Sequence, residues 1–304
     1  MGLPIADGGE GLVEVVLRHK RGTLRQIEAS DPLGRMILAG YAFLDNHEAV
    51  IEMAAAAGLP LLHKGELDPT KTSTFGVGEL MLAAISGGAD PIYVGLGGSA
   101  TVDGGVGAAC ALEIRFLDER GGVVYRGEDL QQITQVDLRG LHELDYSGKI
   151  IFLTDVNNPL CGPNGAAEVF GPQKGATPEQ VRHLDGGLDH LASVVAQESG
   201  LNLKDVPGMG AAGGFALPFV AFMGAEMRSG IDFVLDLMDF DQKLVGTDLV
   251  ITGEGRTDAQ SAMGKAISAV ARRSQATGVR VAVISGTLGE GARQMIELGV
   301  TDMV

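Results

Sequence analysis

Positive charge is scarce in this chain: 23 lysines and arginines stand against 39 aspartates and glutamates, a formal net charge of −16. That balance argues against nucleic acid as a partner, because a phosphate backbone selects for clustered cations. Cysteine is nearly absent too. Cys110 and Cys161 are too few for a disulfide framework, and a reducing cytoplasm is the expected compartment. No apolar run is long enough to cross a bilayer. The opening Met1-Gly-Leu-Pro-Ile-Ala-Asp-Gly-Gly9 has neither the basic nor the apolar stretch of a secretory signal. No membrane partner is expected, and the oligomeric state stays open, a homo-oligomer included. No G-x-x-x-x-G-K-[ST] occurs, which excludes a P-loop NTPase. The six histidines have no metal-ligand spacing; His183 and His190 share an expected helix and suit its surface.

Glycine, by contrast, is abundant. The 46 glycines, about twice ordinary usage, gather in short loops behind apolar runs. That is the pattern of an α/β protein with tight functional turns, and 304 residues suit about two domains. A helix is expected over 12–18, then a hairpin with strands at 23–29 and 35–44 around the turn Asp31-Pro-Leu-Gly34. A third strand at 49–53 precedes a helix over 76–86, with Thr72-Ser-Thr74 offering capping side chains. Buried strands follow at 92–96 and 150–153, and Thr177-Pro-Glu-Gln180 reads as a helix start. Strand 248–252, helix 265–273 and strand 279–284 make a βαβ unit, which favours a parallel sheet. Both ends read as cut through a larger α/β domain.

The most informative stretch is Gly95-Leu-Gly-Gly-Ser-Ala-Thr-Val-Asp-Gly-Gly105, between an expected strand and helix. Strand, glycine loop and helix start aim free backbone N–H groups at an anion, and glycine lets the ligand approach closely. Ser99, Thr101 and Asp103 crowd the same turn. Gly95-x-Gly97-x-x-Ala100 also fits a dinucleotide fingerprint, with Glu113 and Asp118 as acids only by distance. Gly253-Glu-Gly-Arg-Thr-Asp258 follows another apolar strand. Glu254 and Asp258 suit Mg²⁺, and Arg256 with Lys265 would offset charge on a moving phosphoryl group; the same residues also suit a solvated loop with a local ion pair. Asp155-Val-Asn-Asn158 offers hard oxygen donors, or an Asx-turn before Pro159. Gln173-Lys174-Gly175 and Gly210-Ala-Ala-Gly-Gly214 are further loop candidates.

Taken in order, these loops resemble the bacterial glycerate kinase family of the type that makes 2-phosphoglycerate. The matching stretches are Ala6–Gly11, Thr74–Glu79, Gly95–Thr101 with Asp103–Gly105, Asp155–Leu160, Phe170–Ala176, Gly210–Gly214 and Val250–Arg256 with Asp258, Gln260 and Gly264-Lys265. The resemblance implies an α/β protein in which a flavodoxin-like parallel-sheet domain is interrupted by a second, restriction-endonuclease-like α/β domain. Residues 1–20 plus 241–304 would form the first, incomplete, and 21–240 the insert. It implies ATP and Mg²⁺ as cofactors and D-glycerate as substrate, bound in a cleft between the domains. Asp155, Glu254 and Asp258 would hold the metal, and Arg256 and Lys265 would face the phosphates or the substrate carboxylate. Backbone N–H groups of Gly97, Gly98 and Ser99 would cradle an anion, with Thr101, Asn157 and Lys174 beside them and Asp103 or Asp7 as the base. The family's N-terminal strand with its Pro-Asp-Ser-Phe-Lys-Gly-Ser loop, and its C-terminal end, have no counterpart here. Val102 and Leu12 stand where the family usually has Asn and Thr. Two other readings stay in play: a truncated, non-catalytic nucleotide- or glycerate-binding relative, and a dinucleotide-dependent oxidoreductase.

Overall fold

A computed structural model describes residues 2–3, 5, 9–144, 146–257 and 266–304. The chain divides into two compact units, Gly8–Arg228 and Met1–Asp7 with Ser229–Val304. The larger opens with α1 (Leu12–His19), β1 (Gly22–Ser30), β2 (Met36–Leu44), β3 (Ala49–Glu52) and α2 (Ala54–Ala57). Then come α3 (Phe75–Ser86), β4 (Ile92–Gly95) and α4 (Val106–Ala111). An antiparallel excursion adds β5 (Arg115–Leu117), β6 (Val123–Val124), β7 (Gln135–Asp137) and α5 (Arg139–Glu143). It closes with β8 (Ile150–Leu153), α6 (Ala166–Phe170), α7 (Pro178–Ser199), α8 (Leu217–Met223) and β9 (Glu226–Arg228).

The main sheet runs β1-β2-β3-β4-β8-β9, with β1, β2 and β3 antiparallel in turn and β3, β4, β8 and β9 parallel. Every residue of β8, Ile150–Leu153, is buried, as expected of a parallel strand covered on both faces. The register aligns Glu52, Gly95, Leu153 and Arg228 in one row. The loops that leave these strands therefore start from one edge, where open α/β sheets place their ligands.

Local chemistry explains the connections. Asp31 closes the hairpin by accepting from the Leu33 and Arg35 N–H groups at 2.8 and 2.9 Å. Gly78 lets α3 lie against α4, because a Cβ there would sit 2.3 Å from the Ala108 carbonyl oxygen. At α7, Thr177 Oγ1 accepts from Gln180 N while the Gln180 side chain accepts from Thr177 N, a reciprocal cap. His183 and His190 do lie on this helix, but each ring places Nε2 within 2.8 Å of a carbonyl oxygen, of Glu128 and Ile133. They pin the preceding segment rather than face solvent alone. Phe152 of β8 meets Phe215 and Phe219 edge-on, and the three ring centroids lie 5.2 to 5.5 Å apart.

The smaller unit comprises α9 (Gly230–Leu237), α10 (Phe240–Leu244), β10 (Leu249–Glu254), α11 (Ala266–Ala276), β11 (Arg280–Ser285), α12 (Gln294–Glu297) and β12 (Asp302–Met303). Its three strands are parallel in the order β10-β11-β12, so the βαβ reading holds. Ile231, Leu235, Phe240 and Leu244 pack with Val270 of α11, and Val281, Val283 and Met295 pack with Ile267 and Ala271. The two units divide at 7/8 and 228/229. Two contacts explain this. Leu12 and Val16 of α1 are fully buried, and Val13 N donates to Glu52 at the end of β3. Arg273 of α11 pairs with Asp236 of α9 and Asp241 of α10, which ties both helices to the later sheet. No helix among the described residues is long and apolar enough to cross a membrane.

Phe152→Ala should lower the unfolding free energy by about 3–5 kcal/mol by leaving a cavity in the three-ring cluster. Urea denaturation checks it: the midpoint falls while the slope stays unchanged.

Candidate active site

The loop after β4 is clamped from both sides. Leu96 N donates to Leu153 O at 3.0 Å, Ala100 N to Ala57 O at 2.8 Å, and Leu59 N to Gly98 O at 3.0 Å. At the tip, Gly98 has φ of 74° and is exposed. Among the described residues, the N–H groups of Gly97, Gly98 and Ser99 donate to no protein acceptor. A tip with the Gly98 carbonyl tied back and its N–H groups uncommitted is suited to an anion.

Beneath the tip lies a buried polar cluster. Lys174 is 3% exposed, and its Nζ donates to Ser99 Oγ at 2.8 Å and to Thr101 O at 2.7 Å. Asp103 is fully buried; its Oδ2 accepts from Thr74 N and Thr74 Oγ1, both at 2.8 Å, and its Oδ1 from Gly105 N at 3.1 Å. Burial pushes the Asp103 carboxyl above the usual aspartate range, and the surrounding donors draw it part of the way back. Thr74 Oγ1 accepts in turn from Ala108 N at 3.0 Å, and Thr72 Oγ1 donates to Ala100 O at 2.9 Å. The expected capping role of Thr74 therefore gives way to a bridge: its hydroxyl makes no cap bond at α3. The 210–214 loop closes the far side, where Gly213 O accepts from Gly104 N and Ala212 takes a left-handed φ of 51°. Such backbone persists only where its surroundings hold it, and it clusters at functional sites.

Of the residues expected at the site, Gly97, Gly98, Ser99, Thr101, Asp103 and Lys174 are brought into this one cluster. The two charged ones among them lie in the interior. Asp103 has both oxygens engaged in the interior, which makes it an organiser of the loop rather than a base open to a substrate. Lys174 lies under the loop, bonded to Ser99 Oγ and Thr101 O. Asp155, half-buried, and Asn157, exposed, follow β8, the strand beside β4. In the smaller unit Glu254 ends β10 and accepts from Thr257 Oγ1 at 3.0 Å, while Arg256 is exposed. Asp7, Asp258 and Lys265 lie outside the described residues. No group of three or more His, Cys, Asp or Glu among the described residues is placed to hold a metal.

Two polar residues at or just beyond strand ends escaped the sequence reading. Glu52 ends β3 and accepts from Val13 N at 2.7 Å; burial raises its carboxyl while the Val13 and Gly11 N–H groups lower it. An acid closing an apolar strand was the available signal. Thr257 is fully buried and links Glu254 to Ser285 Oγ, 2.6 Å away. The acids proposed for a dinucleotide site are used elsewhere. Asp118 closes the β5–β6 turn by accepting from Arg120 N and Gly122 N, and Glu113 pairs with Arg115. Neither stands at the end of a parallel strand.

The sequence profile of the glycerate kinase family matches residues 1–304. The chain belongs to that family. A glycerate kinase of Halalkalibacterium halodurans is 40% identical over 98% of this chain and 79% of its own length. A glycerate 2-kinase of Escherichia coli K12 is likewise 40% identical, with the same shares covered. A Salmonella typhimurium LT2 crystal structure assigned as glycerate kinase 2 superposes with a TM-score of 0.84 at 39% identity, covering 99% of this chain and 79% of that one.

Thr74→Val deletes the hydroxyl shared by Asp103 and Ala108 and should destabilise the larger unit by about 1–3 kcal/mol. Thermal unfolding followed by circular dichroism reads the loss. An unchanged transition would show that the Asp103 bridge contributes nothing to the fold.

Proposed function

We propose that this chain transfers the γ-phosphoryl group of ATP to the 2-hydroxyl of D-glycerate, giving 2-phosphoglycerate. The observation that carries the reading is the Gly97–Ser99 tip, exposed at Gly98, whose N–H groups have no acceptor among the described residues and which has a lysine buried behind it. Both ligands are anionic, and such a tip in an otherwise acidic chain is a local site for them. The names of the relatives supply the substrate and, through the glycerate 2-kinase, the hydroxyl.

Phosphoryl transfer asks a protein for positioning and charge stabilisation more than for covalent chemistry. In this reading the tip orients an anionic group through its backbone, and Asn157 adds an amide on the neighbouring loop. Arg256 and Lys265 meet phosphate charge, and Asp7 takes the hydroxyl proton, since Asp103 is closed off. Asp155, Glu254 and Asp258 are hard oxygen donors of the kind that hold Mg²⁺, which would neutralise phosphate charge. Thr257 holds Glu254 in one orientation for that purpose.

Phosphorus NMR of the protein with ATP, Mg²⁺ and D-glycerate tests the proposal. A new phosphomonoester resonance at the 2-position is the expected result. Binding of both ligands without that resonance would mark a non-catalytic relative. Glu254→Ala or Lys265→Ala should lower kcat/KM at least tenfold, about 1.4 kcal/mol of transition-state stabilisation. Steady-state kinetics unchanged in both variants would remove these residues from the site.

A further inference from the structure

The Lys174 ammonium is buried among neutral partners. Its two acceptors are a serine hydroxyl and a backbone carbonyl, and no third acceptor is present among the described residues. Asp103 is the charged group whose field reaches it, but both Asp103 oxygens are committed to Thr74 and Gly105. The Thr101 hydroxyl, also fully buried, has no partner among the described residues. A cation taken out of water without an ion-pair partner is unfavourable unless another charge offsets it. The loop that carries both of its acceptors also carries the Gly97–Ser99 N–H groups, which offer a place for such a charge.

We propose that Lys174 is a positioning residue and buried counter-charge for the anion held by this tip, acting through Ser99 Oγ and the Thr101 carbonyl without touching the anion. The two hydrogen bonds hold Ser99 Oγ and the Thr101 carbonyl to the ammonium, while the Gly97–Ser99 N–H groups have no acceptor among the described residues. The positive charge adds to the field those N–H groups present, in a medium where charges are weakly screened. The inference rests on the kinase reading only for the identity of the anion, the carboxylate of glycerate or a phosphate of ATP.

Coupling of this kind is reciprocal: if the ammonium favours the anion, the anion favours the ammonium. Burial pushes Lys174 down to about 7, and the Asp103 carboxylate raises it part of the way back. The charge is thus present below about pH 7 in the ligand-free protein and lost above it. Affinity for the anion should be greatest below that pH. It should fall as pH rises through it, then level off above the higher value of the bound state.

The test uses wild-type protein carrying [ε-¹³C]lysine, with the Lys174 resonance assigned by its absence in Lys174→Arg. Its pH titration is followed alone, with D-glycerate and with a non-hydrolysable ATP analogue. The expected result is an upward move of the midpoint by about one unit, a tenfold coupling, with the ligand that occupies the tip. Which ligand causes it identifies the anion. A midpoint unmoved by either ligand, while other resonances report binding, overturns the inference and leaves the kinase reading intact. No perturbation anywhere overturns both. In kinetics, Lys174→Met should raise KM for that anion about tenfold at pH 6, change kcat by less than about threefold, and flatten the pH dependence of KM. A purely structural lysine would lower the active fraction and leave KM and its pH profile as they were.

Discussion

The buried Asp103 carboxylate holds the edge of the main sheet together. One oxygen takes the Thr74 N–H and hydroxyl, the other the Gly105 N–H, so the start of α3, the glycine loop and the start of α4 share one acceptor. A carboxylate in the interior is tolerable only when it is this fully bonded, and removing any donor leaves a charge short of partners. The loop therefore has little freedom to rearrange, and its tip presents uncommitted N–H groups at a defined place. Ala100 and Gly98, bonded to the segment around α2, complete the clamp.

An acidic chain that handles anions faces an electrostatic conflict, since a net charge of −16 repels what it must bind. The fold answers locally rather than globally. Backbone N–H groups carry no net charge and cannot be neutralised by neighbouring acids. The one lysine at the cluster is placed behind the loop, where surface carboxylates and salt screen it least. Much of the remaining positive charge is spent on ion pairs, as where Arg273 joins Asp236 and Asp241.

Most of the architecture could be read from local pattern. Ile150–Leu153 is apolar throughout and is buried throughout, and the Asp31 turn, the Thr177 cap and the βαβ unit around α11 are where short-range chemistry places them. The glycine loop was legible for the same reason, because turn and strand-end preferences act over a few residues. Direction was not legible. Lys174 and Asp103 look equally available in a linear sequence, yet Lys174 reaches Thr101 across 73 positions and Asp103 meets Thr74 across 29. Glu52 and Thr257 went unnoticed because an isolated acid or threonine has no spacing to advertise its partner.

Amino-acid order set the element types, the glycine turns and the family, since each depends on local preference or on the order of short motifs. The packing of distant segments decided which polar groups face inward. That choice follows from burial and hydrogen-bond satisfaction over long separations, and no window of sequence contains it. It turned a candidate base into the organiser of a loop and a candidate ligand-binding lysine into a charge held beneath one.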